Sequence, residues 1–155
     1  MTNINLDWST NDKLRASSIG EMALYDDLRK YLLLYERQKD FSNLLLVGNV
    51  GTGKTTAARI LGKVLEKHKD YEYIEYDCGR KNTDKDIKGL IQRTTMFNLI
   101  TMSGKRIVIM DEFHELSQKQ QAQLVKISED DADTKWIFIT NDDADEKQVK
   151  RQIRS

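Results

Sequence analysis

The sequence predicts an α/β domain, a parallel sheet with helices on both faces, and three observations lead there. Apolar runs of strand length alternate with amphipathic runs of helix length from residue 20 to residue 154. That alternation builds a parallel sheet whose strands are covered on both sides. One run, Leu44–Val47, passes into Gly48-Asn49-Val50-Gly51-Thr52-Gly53-Lys54-Thr55 and then directly into a helical pattern. A later run, Ile107-Val108-Ile109-Met110, ends in the acid pair Asp111-Glu112. A chain of 155 residues fits one domain, residues 1–155, with Met1–Thr10 polar and loosely held.

Composition narrows the class further. The chain is 39% apolar and 32% charged, as expected of a globular protein with a charged surface. Basic and acidic side chains balance at 25 each, which argues against a broad nucleic-acid-binding face while leaving room for a local basic patch. The single cysteine, Cys78, excludes an internal disulfide and suits a reducing, cytoplasmic setting. No apolar run has the length of a membrane span, and the N-terminus has no signal-peptide pattern.

In chain order, Gly20–Arg37 reads as a helix whose Leu24, Leu28, Tyr31, Leu32 and Tyr35 share one face. Leu44–Val47 is the first strand. The helix after the glycine-rich loop, Thr55–Lys67, turns Ala57, Ile60, Leu61, Val64 and Leu65 inward and ends in Lys67-His68-Lys69. Tyr71–Tyr76 alternates as a second strand and leaves through Asp77-Cys78-Gly79. Thr83 caps a helix over Asp84–Thr95, which Phe97–Met102 extends. Lys105–Met110 is the third strand. Ser117 caps a helix through Ile127, Trp136–Thr140 is the fourth strand, and Glu146–Arg154 is a helical tail.

The loop Gly48–Thr55 matches G-x-x-x-x-G-K-[ST] at every specified position, and the preceding strand and following helix supply the context its chemistry requires. Glycines let successive backbone N–H groups curl around phosphate oxygens, and the helix N-terminus adds unpaired donors and a positive dipole end. Lys54 is then a point charge for the β- and γ-phosphates and faces solvent, Thr55 is a Mg²⁺ ligand, and Thr56 closes the phosphate-binding run. The bland alternative is a glycine-rich turn that happens to precede a helix. Asp111 at a buried strand end is placed to hold Mg²⁺ through its water, and Glu112 is placed to polarise the water that attacks the γ-phosphate. Read alone, the two acids are equally a solvated strand end. Asn141 has two readings of equal standing: a turn residue in Asn141-Asp142-Asp143, or an amide beside the γ-phosphate that orients the lytic water.

These elements together resemble the AAA+ ATPases, phosphate-loop proteins, and within them the small subunits of replication clamp loaders of the replication factor C type. The segment Asp12-Lys13-Leu14-Arg15-Ala16-Ser17-Ser18-Ile19-Gly20-Glu21 resembles the family's lead-in to the loop, although Ala16 stands where proline is usual. The resemblance implies that Ile19 and Gly20 lie near the adenine. Glu75-Tyr76-Asp77-Cys78 resembles the family's second-strand exit, Asp111-Glu112-Phe113-His114 its acidic box, and Asn141 its sensor asparagine. By resemblance the catalytic residues are Glu112, Lys54 and Asn141, the metal ligands Thr55 and Asp111, and the bound species ATP with Mg²⁺. The implied activity is ATP hydrolysis, efficient in an oligomeric ring. The implied partners are other AAA+ subunits, a sliding clamp and primer-template DNA, with Lys88 and Arg93 as possible phosphate contacts.

Clamp loaders carry an arginine that reaches the neighbouring subunit's nucleotide. In one register Arg154 is that residue, but Arg151 then occupies an apolar position. In the other, Ile153 and Ser155 match the motif and the arginine is the residue after Ser155. The second register is the preferred one, and it makes the chain a fragment or a minimal relative that stops before the arginine, a fifth strand and a helical lid. His114 has no ligand partner at metal spacing, His68 suits a helix C-terminus, and Cys78 is a small buried apolar residue. Competing functions are a helicase loader of the same family, a nucleotide-switched binding module without turnover, and a small-molecule kinase, which Glu112 disfavours.

Overall fold

The computed structural model of the chain describes residues 16–24, 26–95 and 103–141. The sequence expectations for Met1–Thr10, Phe97–Met102 and Glu146–Arg154 lie outside the described residues, as do Asp12–Arg15, Asp142 and Asp143.

Among the described residues four strands form one sheet: β1 (Leu44–Val47), β2 (Glu72–Asp77), β3 (Arg106–Asp111) and β4 (Thr134–Thr140). Their order is β1-β4-β3-β2, and every pairing is parallel. The helices are α1 (Asp26–Gln38), α2 (Lys54–Lys69), α3 (Asp84–Thr95) and α4 (Gln118–Asp130). Helices therefore connect parallel strands, as the alternation of periods requires.

The two central strands, β4 and β3, are buried on both sides, and the side-chain period of two divides their residues between two cores. Ile107 and Ile109 of β3, with Ile137 and Ile139 of β4, pack under Ala57, Ala58, Ile60, Leu61 and Leu65 of α2 and Leu32 of α1. Val108 and Met110, with Trp136 and Phe138, face the other way onto Ile87 and Leu90 of α3 and Leu124 and Val125 of α4. The Trp136 and Phe138 rings stack at 5.9 Å, and Phe113 adds a tilted contact to Phe138 at 4.6 Å. This is a parallel sheet with helices on both faces, as the sequence predicts.

Capping fixes several boundaries. The Ser117 side chain accepts from the Gln120 amide while the Gln120 side chain accepts from the Ser117 amide, a closed capping box at the start of α4. Thr83 and Asp86 reciprocate in the same way at the start of α3.

The first helix differs from its expected bounds. It begins at Asp26 rather than Gly20, and Ile19–Glu21 is a separate 3-10 turn. Glu21 accepts from the Ser17 amide at 2.8 Å and from its hydroxyl, so the carboxylate tightens a local turn instead of entering a helix. The apolar face is also partly redirected. Leu32 is buried, whereas Leu28 and Tyr31 are 41% and 63% exposed.

No helix among the described residues is long and apolar enough to cross a membrane.

Candidate functional site

The strand order brings the site together. β4 lies between β1 and β3, with Val47 paired to Thr140 and Met110 to Phe138. The loop after β1, the residue after β4 and the acids ending β3 therefore meet at the carboxyl end of the sheet, where open α/β sheets place their ligands.

The loop itself is built by its glycines. Gly51 and Gly53 have φ of 82° and 86°, a left-handed conformation that costs glycine little and other residues more. A Cβ on Gly53 would also lie 2.9 Å from the Met22 side chain. Gly53 is the residue preceding α2, so the loop delivers the chain directly onto the helix N-terminus.

Lys54 departs from the expectation that it faces solvent. It is half-buried, and its Nζ donates to the Gly48 carbonyl at 2.6 Å and the Asn49 carbonyl at 2.7 Å. The ammonium thus ties the loop to itself, and the charge sits at the mouth of the turn. A second internal bond, from Thr52 Oγ1 to the Asn49 carbonyl at 2.8 Å, closes the loop further. Val50, at its tip, is 83% exposed.

A cleft of about 390 Å³ opens beside the loop. It is lined by Val50, Gly51, Gly53, Lys54, Thr55 and Thr56 from the loop and helix start, Arg59 one turn on, Asp111 and Glu112, and Ile139 and Asn141. Within it Thr55 Oγ1 lies 3.1 and 3.2 Å from the two Asp111 carboxylate oxygens. A hydroxyl and a carboxylate held together at a helix N-terminus are the hard oxygen donors that Mg²⁺ takes from protein, with water or phosphate completing its shell. The residues present therefore fit a magnesium–triphosphate group. Gly48, Asn49 and Thr52 face a second, larger cavity of about 1000 Å³ toward α1 and the β1 edge, with Gly53 and Lys54 shared between the two.

Glu112 is placed by two long-range features. Its backbone is left-handed, with φ 53° and ψ 42°, an uncommon state for a non-glycine residue that the surrounding packing must hold. Phe113, fully buried, anchors the 3-10 turn Phe113–Glu115 immediately after it. On the other side the Glu112 carboxylate rests on Gly79 at the exit of β2, so closely that a Cβ at Gly79 would overlap it. The sequence reading did not single out Gly79, and no motif signals it.

The other candidates sort clearly. Lys54, Thr55, Thr56, Asp111, Glu112 and Asn141 line one cleft. Ile19 is fully buried in the core beneath α1 and α2, and neither it nor Gly20 lines that cleft. Cys78 is buried, and burial followed by the charges of Asp111, Asp77 and Glu112 pushes its thiol up to about 12, so it stays protonated and inert. Arg93 is engaged with Glu72 at 2.7 Å, while Lys88 is exposed. His114 has Glu115 at 3.4 Å, and no group of three potential metal ligands occurs among the described residues.

Comparison with known proteins settles the lineage. The ATPase family associated with various cellular activities (AAA) matches residues 44–154, most of the chain. The chain belongs to the AAA family of ATPases. Similar curated proteins include the replication factor C small subunit of Thermoplasma volcanium, 29% identical over 133 residues, which is 84% of this chain and 42% of that protein. Human replication factor C subunit 5 is 26% identical over 140 residues, 88% of this chain and 41% of that protein. The AAA chain thus resembles replication factor C small subunits and spans about two-fifths of the length of these relatives.

Solved structures with the same fold include domain III of the replication initiation protein DnaA from Thermotoga maritima, at a TM-score of 0.60 and 13% identity, covering 89% of this chain and 62% of that one. A RuvB variant from the same organism matches at 0.56 and 18%, covering 82% and 41%. These likenesses show the AAA+ fold.

Proposed function

We propose that this chain is the nucleotide-binding core of a clamp-loader subunit, binding ATP with Mg²⁺ and hydrolysing it within a ring of AAA+ subunits that loads a sliding clamp onto primed DNA. The observation that carries the chemistry is the single cleft that holds Lys54, Thr55, Asp111, Glu112 and Asn141. The likeness to replication factor C small subunits over more than four-fifths of the chain supports the biological setting.

Each residue has a part. Lys54 exchanges its bonds to the Gly48 and Asn49 carbonyls for the β- and γ-phosphate oxygens, which bear more charge than a carbonyl and bind an ammonium more strongly. Thr55 and Asp111 would hold Mg²⁺, which when bound neutralises charge on the triphosphate. Glu112 accepts a hydrogen bond from the attacking water and takes its proton as the water oxygen bonds to the γ-phosphorus and the bond from that phosphorus to the β,γ-bridging oxygen breaks, releasing ADP. Asn141 offers its amide to orient that water. The assignment of Ile19 and Gly20 to the wall around the base rests on the resemblance of their segment alone; the neighbouring Ala16 and Ser17 line a groove with α2.

The test is steady-state ATP turnover of the chain in its assembly, with and without clamp and primed DNA. Joint stimulation by both is expected, Lys54→Ala should abolish ATP affinity, and Glu112→Gln should keep affinity but lose roughly 10²-fold or more in turnover. Stimulation by a replicative helicase instead would make the chain a helicase loader. ATP binding with no turnover in any assembly would make it a nucleotide-switched module.

A further inference from the structure

We propose that Arg59 is a second cationic contact for the phosphate chain of the nucleotide, held ready by Glu75; this rests on the reading of the cleft as an ATP site. Arg59 follows Thr55 by four residues and Thr56 by three, so all three point from one side of α2. It lines the same cleft as Lys54 and Asp111.

Its guanidinium is fixed side-on. Nε donates to both Glu75 oxygens at 3.0 Å, and Nη2 donates to the same carboxylate. Glu75 is itself braced by the Tyr73 hydroxyl at 2.9 Å, whose ring lies 4.1 Å beneath the Lys63 ammonium. This uses one edge of the fork and leaves the Nη1 edge for a ligand. The side chain remains 36% exposed, so the pair adds little to stability by itself. The Glu75 hydrogen bond raises the Arg59 pKa, with Asp111 adding to it, so the cation is permanent. A planar fork already oriented by a carboxylate loses little entropy on meeting a phosphate oxygen, which favours Arg over Lys at such a position.

The discriminating experiment measures ATP·Mg²⁺, Mg²⁺·tripolyphosphate and adenosine as competitors of a fluorescent ATP analogue on the full chain. Wild type is compared with Arg59→Ala, Arg59→Lys, Glu75→Gln and, as control, Lys54→Ala, with thermal unfolding run on each. Arg59→Ala is expected to weaken ATP and tripolyphosphate about tenfold, the scale of one charge-assisted contact, and to leave adenosine unchanged. Arg59→Lys should recover part of the loss, and Glu75→Gln should lose about threefold through a looser guanidinium. If Lys54→Ala loses ATP while Arg59→Ala and Arg59→Lys bind tripolyphosphate like wild type, the Arg59 assignment fails and the ATP site stands. Equal losses for adenosine and ATP would move Arg59 to the nucleoside and overturn the proposal. A wild-type chain that binds neither ATP nor tripolyphosphate would sink the site reading itself.

Discussion

Replacing Thr55 by Val and Asp111 by Asn, singly and together, isolates the contact on which the proposed magnesium site depends. The Thr55 hydroxyl has one proton and two acceptors, at 3.1 and 3.2 Å. Both distances exceed the roughly 2.7 Å usual between hydroxyl and carboxylate oxygens, and sharing weakens each bond. A hydrogen bond to a charged group contributes about 1.5–3 kcal/mol at good geometry, so a long, shared, half-buried one contributes about 1 kcal/mol. The single changes will not show it. Asp77 pairs in register with Asp111, and Glu112 follows it, so Asp111→Asn also relieves acid crowding and is expected to be nearly neutral in stability. Only the double-mutant cycle removes that term. Urea unfolding of the four proteins without nucleotide is expected to give a coupling of about 1 kcal/mol with unchanged slopes. With ATP present, both single variants should lose the Mg²⁺ dependence of affinity while binding metal-free ATP as wild type does. Additivity within about 0.3 kcal/mol, together with an intact Mg²⁺ dependence, would refute the shared contact and the metal assignment resting on it.

Three further outcomes follow from particular side chains. Gly79→Ala should displace the Glu112 carboxylate and cut turnover roughly 10–100-fold while ATP affinity holds; wild-type kcat would show that Glu112 does not depend on that gap. Cys78 should resist thiol reagents at pH 8 in the native protein and react on unfolding. Its unfolded thiol ionises from about pH 8.5 while the folded one stays protonated to about 12, so its effect is a loss of stability as pH rises through that window, absent in Cys78→Ala. Burial raises the Glu75 carboxyl, but hydrogen bonds from Arg59 and Tyr73 outweigh it and the net direction is down. Its contribution is therefore complete above about pH 4.3 and lost as pH falls below it, and acid unfolding of Glu75→Gln should lack that small component.

What the sequence discloses and what it withholds follow from the range of the interactions. The phosphate loop is legible because its glycines, lysine and threonine act within eight consecutive residues, Gly48–Thr55, and its strand and helix flank it directly. The Asp111–Glu112 pair is legible for the same reason. Asn141 is different. Its turn reading and its sensor reading weigh equally in the sequence, and only strand order, with β4 between β1 and β3, puts the residue after β4 in the cleft with the loop and the acids. The apolar stripe of α1 misleads because periodicity reports that a face exists, not what covers it; Leu32 finds the core while Leu28 and Tyr31 do not. Arg59 was invisible because its partner Glu75 is 16 residues away on another element.

Lys54 carries the most instructive discrepancy. A residue read as a solvent-facing charge is instead bonded to two carbonyls of its own loop. In the proposed ATP site its contribution to nucleotide affinity would be a difference: the attraction of an ammonium for the oxygens of a charged phosphate group, less the bonds to Gly48 and Asn49 that it must give up. The same exchange ties binding to loop geometry. A phosphate that draws the ammonium away frees the two carbonyls, and the left-handed Gly51 and Gly53 allow the amides between them to turn toward the ligand without a Cβ in the way. Lys54→Ala would accordingly remove two things together, the charge offered to a phosphate and the tie that closes the loop. Lys54→Arg separates them, since its charge persists while its wider fork cannot sit between two carbonyls spaced for one ammonium. By the same difference it is expected to recover most of the ATP affinity that Lys54→Ala loses, as read by titration calorimetry; recovery no better than Lys54→Ala would instead make the position specific for a compact point charge.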